Sequence, residues 1–360
     1  MRALLATAAA LALALPAAAQ DEAPLSPGEI VAQADAAEWQ AIAAEDLVVM
    51  TLAPDRDGKP REVVIQLMPE PFSQGWIANI RTLARSGWYD GTSVNRVQDN
   101  YVVQWGDPNY DNPEADGEAN PLPEGLRVMA EEDFTFEPED FSDTLLPLKS
   151  YDVTGSQRMA AARQLFDPAE QAVLAGELDA SELEAIMDVA RYLRGDSFAL
   201  NTRIVSGWPF ATGLNEAGSG ELWPVHCYGM VGVGRNYSPD TGSGAELYTV
   251  IGHAPRHLDR NIALVGRVIE GIEHLSSLPR GTGALGFYET AEERVPILQV
   301  RVASDLPVSE QPLFEYLSTV SESFAAYAEA RANRRDPFFI VPAGGADICN
   351  IPVPVRRVQP

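Results

Sequence analysis

The 360-residue sequence predicts a mainly β protein with helices at its periphery. Two paired runs carry that expectation. Residues 47–52 and 62–68 are apolar and β-branched, and Asp55-Arg56-Asp57-Gly58-Lys59 between them has the chemistry of a hairpin turn. Residues 93–97 and 101–105 form a second pair around the polar turn Gln98-Asp99-Asn100. A Tyr89-Asp90-Gly91-Thr92 reversal precedes it, and Gly106-Asp107-Pro108 stops it.

At the start of the chain, Met1-Arg2 precedes an apolar Ala/Leu run ending in Pro16 and Ala17-Ala18-Ala19. This is the pattern of a cleaved secretory signal over 1–20, and the run is too short to span a bilayer comfortably. Export to the periplasm or the medium is therefore expected, in a compartment that permits disulfides. Arg2 is the only charge in that segment, so its loss takes the formal net charge from −26 to −27. Such acidity argues against nucleic acid or an anionic membrane surface as a partner. Residues 21–45 read as a Pro- and Ala-rich lead-in. In 71–85, Phe72, Trp76, Ile77, Ile80, Leu83 and Ala84 recur at helical spacing, as core residues do.

The 87–108 stretch, GWYDGTSVNRVQDNYVVQWGDP, sets Arg96 beside an apolar wall of Tyr101 and Val102, with Gln104 nearby. It resembles the signature of the cyclophilin-type peptidyl-prolyl isomerases. That family has an aromatic-Tyr-Asp-Gly-Thr turn, a catalytic arginine on the next strand, and an aromatic-apolar-x-Gln-Gly-Gly-Asp-Pro segment after it. The resemblance resumes at 228–235 (YGMVGVGR), the floor of the proline groove, which includes Gly234 and Arg235. It continues through 245–250 (AELYTV), where Glu246 stands for a glutamine and Tyr248 for a pocket phenylalanine. His257-Leu258-Asp259 matches the element that rims the pocket, ALVGRV at 263–268 a further strand, 271–278 a helix, and 295–303 the closing strand. The matched parts, 62–108 and 226–303, make up about a third of the chain.

Between them the chain departs from the family with an insert, 110–225. Residues 111–143 are acidic and Pro-rich. Residues 157–194 are helical in pattern, with capping boxes expected at Asp167-Pro168-Glu170 and Ser181–Glu184, and with Leu183, Ile186, Met187, Ala190 and Leu193 as one apolar stripe. The insert is expected to be a helical hairpin packed on the barrel. After the barrel, 309–335 reads as a long amphipathic helix (Leu313, Leu317, Val320, Phe324, Tyr327), followed by an extended Pro-rich tail.

The resemblance implies a closed antiparallel β-barrel capped by helices over 46–303, interrupted by the insert, with a C-terminal helix and tail over 304–360. It also implies rotation about X-Pro bonds in Pro-containing polypeptide clients. That reaction opposes an amide barrier of about 18–20 kcal/mol and transfers no atom or electron, so no cofactor or metal is expected. It needs an apolar seat for the pyrrolidine ring, for which the candidates are Tyr101, Val102, Tyr248 and Leu258. It also needs a cationic donor for the prolyl nitrogen in the twisted state, which Arg96 suits, with Gln104 to orient it. Gly234, Arg235 and Glu246 complete the candidate substrate-binding set.

The departures are Val94 and Asn95 before the arginine, Trp105 for a glycine, Tyr101 and Tyr248 for phenylalanines, Gly234-Arg235, Glu246, and Ile262 for a pocket histidine. A carboxylate at Glu246 either preorganises Arg96 or neutralises it. The alternative reading is a proline-segment-binding chaperone or scaffold with little or no turnover.

Other motifs are weaker. Gly281-Thr282-Gly283-Ala284-Leu285-Gly286 fits a dinucleotide fingerprint in letters only, lacking a preceding strand, and reads as a loop. His253 and His257 have Pro255 between them, which spoils a helical metal face. Cys227 and Cys349, the only cysteines, either pair or stay free thiols; spacing does not decide.

Overall fold

A computed structural model describes residues 23–110, 115–136, 150–152, 168–169, 171–179, 181–182, 196, 198–215 and 217–359. The expected signal segment lies outside the described residues, as does most of the predicted helical stretch 157–194. Within that stretch, 168–169, 171–174 and 181–182 are helical.

Eight strands close an antiparallel barrel in the order β10-β11-β5-β4-β13-β2-β3-β12, with β12 pairing back to β10. They are β2 (Leu47–Leu52), β3 (Arg61–Leu67), β4 (Ser93–Val97), β5 (Val102–Gly106), β10 (Met230–Val233), β11 (Leu247–Val250), β12 (Leu264–Glu270) and β13 (Val295–Val302). The 47–52/62–68 hairpin forms as expected. The Asp55 carboxylate accepts from the backbone N–H groups of Asp57 and Lys59, and Gly58 takes the positive φ of the turn.

Inward-facing Val48, Met50, Ile65, Leu67, Trp105, Val231, Leu247, Val265 and Val300 fill the interior and leave a cavity of about 10 Å³. The barrel is thus a packed core, and any ligand must bind on its outside. Trp105 supplies part of that filling. The helix Gln74–Arg85 lays Trp76, Ile77, Ile80, Leu83 and Ala84 against the core, and Trp76 Nε1 donates to the Gly242 carbonyl at 3.0 Å.

The insert carries structure the sequence reading did not include. Strands β6 (Ser150–Asp152), β7 (Asn201–Val205), β8 (Trp208–Leu214) and β9 (Gly220–Pro224) form a four-stranded antiparallel sheet. The missed signal is Ser206-Gly207 between Ile204-Val205 and Trp208: both turn residues have positive φ, the requirement of a tight two-residue hairpin. Ile204, Trp208, Phe210 and Leu222 join the same continuous core as the barrel, and Phe210 packs 4.2 Å from Phe72. Of the capping box expected at Ser181–Glu184, Glu184 lies outside the described residues; within them a capping box is seen at Asp179–Glu182. Asp179 accepts from the N–H groups of Ser181 and Glu182, and Glu182 accepts from that of Asp179.

The long helix expected over 309–335 is corrected. Pro312 interrupts it, and β14 (Phe314–Leu317) pairs with β1 (Trp39–Ala41) and β15 (Val355–Arg357). The helix is confined to Glu322–Ala332, where Ser321 caps Phe324 N–H and Phe324, Tyr327 and Ala328 are buried. The 21–45 lead-in and the tail therefore meet in one three-stranded sheet, which the helix-like spacing over 313–327 concealed. Among the described residues no helix is long and apolar enough to cross a membrane.

Candidate functional site on the outer face of β4, β5 and β11

Side chains alternate across a strand, so register decides which of them meet. Gly232 on β10 stands opposite Tyr248 on β11, Tyr248 opposite Gln104 on β5, and Gln104 opposite Arg96 on β4. A bulge between Val94 and Arg96 sets the arginine in this row. Four adjacent strands thus bring together residues far apart in sequence.

Arg96 is held on three sides. Its Nε donates to the Leu285 carbonyl at 2.7 Å, Nη1 to Gln104 Oε1 at 3.2 Å, and Nη2 to Gln98 Oε1. Three of the five guanidinium N–H donors are engaged and two remain. The plane lies over the rings of Tyr101 at 5.7 Å and Phe287 at 5.5 Å. Burial pushes the Arg96 pKa down, with Tyr101 acting weakly the other way. Among the described residues Arg96 makes no ion pair, so no carboxylate neutralises it there.

Glu246 is buried and does not reach the arginine directly. Its Oε2 accepts from Gln104 Nε2 at 3.4 Å. Gly106 and Gly234 make its berth. A Cβ on Gly106 would stand 2.0 Å from Glu246 Oε1, and one on Gly234 would stand 2.9 Å from Glu246 Cβ. Asn95, also sealed inside, donates to the Gly106 carbonyl and accepts from the Ser93 hydroxyl.

Next to the guanidinium lies a separate apolar cluster: buried Val102, Tyr248 and Val250, with half-buried Tyr101, Leu258 and Ile262 around them. His257 stacks on Tyr101. The structure therefore brings Arg96, Tyr101, Val102, Gln104, Tyr248 and Leu258 into one neighbourhood, with Glu246 and Gly234 behind Gln104. It does not bring Arg235 there: that guanidinium donates to the carbonyls of Asn261 and Asn236 and lies over Phe134 of the insert, 5.9 Å away.

Sequence reasoning missed Gln98, Leu285 and Phe287, which brace the arginine, and it missed His226. The 281–286 loop, read only as a connection, packs along β4. Gly281 N–H donates to the Val97 carbonyl, and Leu285 adopts a positive φ that is uncommon for its type. That strained position was the one local feature at the site, and the letters alone do not reveal it. His226 Nε2 meets the Tyr248 hydroxyl at 2.8 Å, which gives the added hydroxyl its buried partner. Cys227 and Cys349 are disulfide-bonded, with their Cα atoms 5.1 Å apart, and the bond ties the tail to the residue after His226. Among the described residues no group of three or more His, Cys, Asp or Glu is arranged to hold a metal ion.

Comparison with known proteins gives consistent results. The family model described as cyclophilin type peptidyl-prolyl cis-trans isomerase/CLD matches residues 59–302. Among solved structures, the chain is similar to the cyclophilin AquaCyp293 from Hirschia baltica, at 20% identity and a TM-score of 0.57, covering 89% of this chain and 93% of that one. A cyclophilin type peptidyl-prolyl cis-trans isomerase of Cryptosporidium parvum, solved in the presence of the dipeptide Ala-Pro, also matches. It does so at 10% identity and a TM-score of 0.33, over 73% of this chain and 98% of that one. No curated protein matches.

Proposed function

Since the chain belongs to the cyclophilin-type peptidyl-prolyl cis-trans isomerase family, we propose that it accelerates rotation about X-Pro bonds in exported polypeptides. The observation that carries this reading is a braced, unneutralised guanidinium at the edge of an apolar cluster: Arg96 beside Tyr101, Val102, Tyr248, Leu258 and Ile262.

The pyrrolidine ring seats on that cluster. As the amide twists, conjugation is lost and the prolyl nitrogen regains its lone pair, which one of the two remaining Arg96 N–H groups can meet. A planar amide offers no such acceptor at nitrogen, so the interaction favours the twisted state over both planar forms. Gln104, Gln98 and the Leu285 carbonyl hold the guanidinium in place beforehand, so little reorganisation accompanies the twist. The chemistry calls for no cofactor.

Work in the periplasm or the medium is part of the proposal. It is supported by the signal-like 1–20 segment and by a disulfide that persists only in an oxidising compartment. Exchange spectroscopy on an Ala-Pro peptide tests the catalytic reading. Accelerated cis-trans exchange that disappears in Arg96→Ala supports it, whereas binding without acceleration makes the protein a proline-segment-binding module.

A further inference from the structure

Behind the apolar cluster runs a chain of polar side chains that bond rotation does not require. The Tyr248 hydroxyl meets His226 Nε2 at 2.8 Å, and His226 Nδ1 meets Asp259 Oδ1 at 2.8 Å. Asp259 Oδ1 also accepts the His226 backbone N–H at 3.0 Å, and Oδ2 accepts from Arg256 Nε at 2.6 Å. Arg256 Nη1 then donates to Asp196 Oδ2 at 2.9 Å. The side chains of His226, Asp259, Arg256 and Asp196 are each no more than 5% exposed.

Donor and acceptor types fix the direction of every bond. The Asp259 carboxylate can only accept, so His226 carries its proton on Nδ1. Nε2 is then an acceptor, and the Tyr248 hydroxyl donates to it.

The relay touches the apolar seat at two points, Tyr248 and Leu258. Tyr248 is one wall, and its ring passes over Gly232, where a Cβ would lie 2.4 Å from the Cζ and hydroxyl of the ring. Leu258 and Ile262 are another part of the same cluster. Leu258 ends the short 3-10 turn Arg256–Leu258, directly before Asp259, and its carbonyl accepts from Ile262 N–H. One carboxylate, Asp259, therefore holds both the histidine behind Tyr248 and the arginine of the turn that ends in Leu258. The far end of the relay, Asp196, lies in the insert, and Phe198 of the insert stacks against Arg256 at 5.0 Å.

We propose that the insert sets the width of the proline seat through the relay Asp196–Arg256–Asp259–His226–Tyr248, which makes His226, Asp259 and Asp196 positioning residues for substrate selection. The proposal rests on the seat being where proline binds. A buried network of this kind has few alternative arrangements, because each unsatisfied member carries a large desolvation penalty. A change at Asp196 is therefore felt at Tyr248.

The test uses the full mature chain and the variants Asp196→Asn, Tyr248→Phe and the double variant. Asp196→Asn keeps size and removes charge; Tyr248→Phe keeps the ring and removes the hydroxyl. Each single variant should raise KM for an Ala-Pro peptide about five- to tenfold with kcat nearly unchanged, since the seat binds ground and transition states alike. The double variant should be no worse than the worse single one, as expected for members of one network. Unchanged KM in folded Asp196→Asn, or multiplicative effects in the double variant, overturns the proposal.

A second readout does not depend on turnover: the NMR resonances of the His226 Nδ1 proton and the Leu258 methyl groups. Their displacement in Asp196→Asn supports the relay even if the wild-type chain proves inactive on peptides. Their constancy overturns it even if the chain is active.

Discussion

Gln104 faces Arg96 across the β4–β5 ladder, and its amide can take only one orientation there. The guanidinium, which only donates, lies 3.2 Å from Gln104 Oε1, and the Glu246 carboxylate, which only accepts, lies 3.4 Å from Nε2. Cation and carboxylate therefore lock the amide between them. Of the two roles open to Glu246 from sequence, this geometry favours preorganisation of the arginine through Gln104.

Arg96 is expected to matter for rate far more than for stability. Arg96→Ala should lower kcat/KM on an Ala-Pro peptide by ~100- to 1,000-fold, the scale of removing one preorganised donor to a transition state. Its Tm should move little, since the side chain is half-buried and makes no ion pair among the described residues. Exchange spectroscopy and thermal melts on the same preparation check both halves.

Gly106→Ala should damage the site from behind. A methyl group there meets Glu246 Oε1 at 2.0 Å and Cδ at 2.3 Å, so the carboxylate must leave its berth. We expect a loss of about 1–3 kcal/mol in stability from overpacking. Activity should fall with it, because Gln104 loses the acceptor that orients it. Glu246→Gln should keep the berth but release the orientation, since a second amide can present either end. The Gln104 side-chain amide resonances should then broaden or double.

Acidification should weaken the fold through His226. Burial pushes its pKa below the ordinary value near 6.5, against the pull of Asp259, while Arg256 and His257 also disfavour a second proton. The unfolded chain therefore takes up this proton first as pH falls. Stability from this group is complete above about pH 6.5 and is lost progressively below it, through the folded-state pKa. Asp259 follows at lower pH: burial alone would raise its pKa, but bonds from His226 and Arg256 hold it below the usual carboxylate range. A Tm series from pH 8 to 4 on the wild type and on His226→Gln checks the assignment, and the variant should lose the upper part of the slope.

Reducing the Cys227–Cys349 bond should lower stability by about 5 kcal/mol at most, from the chain entropy regained by a loop of 122 residues. The oxidised protein should show no free thiol after denaturation. Reduction should loosen the 349–359 tail first, because the bond joins that segment to the residue beside His226.

The sequence by itself determined the two hairpins of the barrel, 47–67 and 93–106, and the chemistry of the strand bearing Arg96. The apolar β-branched runs, the Asp-Gly turns and the Gly106-Asp107-Pro108 stop are local signals, written within about ten residues of the structure they specify. The helix Gln74–Arg85 was legible for the same reason, through one stripe of apolar residues. The resemblance to the cyclophilin motif also named Tyr101, Val102, Gln104 and Tyr248.

Only the tertiary structure decided what those side chains meet. The row from Gly232 to Arg96 exists because a barrel closes and fixes register across four strands. Leu285 reaches Arg96 across 189 positions of sequence, and His226 reaches Tyr248 across 22. No periodicity records such distances. The sheet of β1, β14 and β15 escaped for a related reason: its strands come from opposite ends of the chain, and the middle one carries residues that also suit a helix. Local propensity chose each element, and long-range pairing chose which of them form the site, because hydrogen bonds between strands are made by proximity in space and not in sequence.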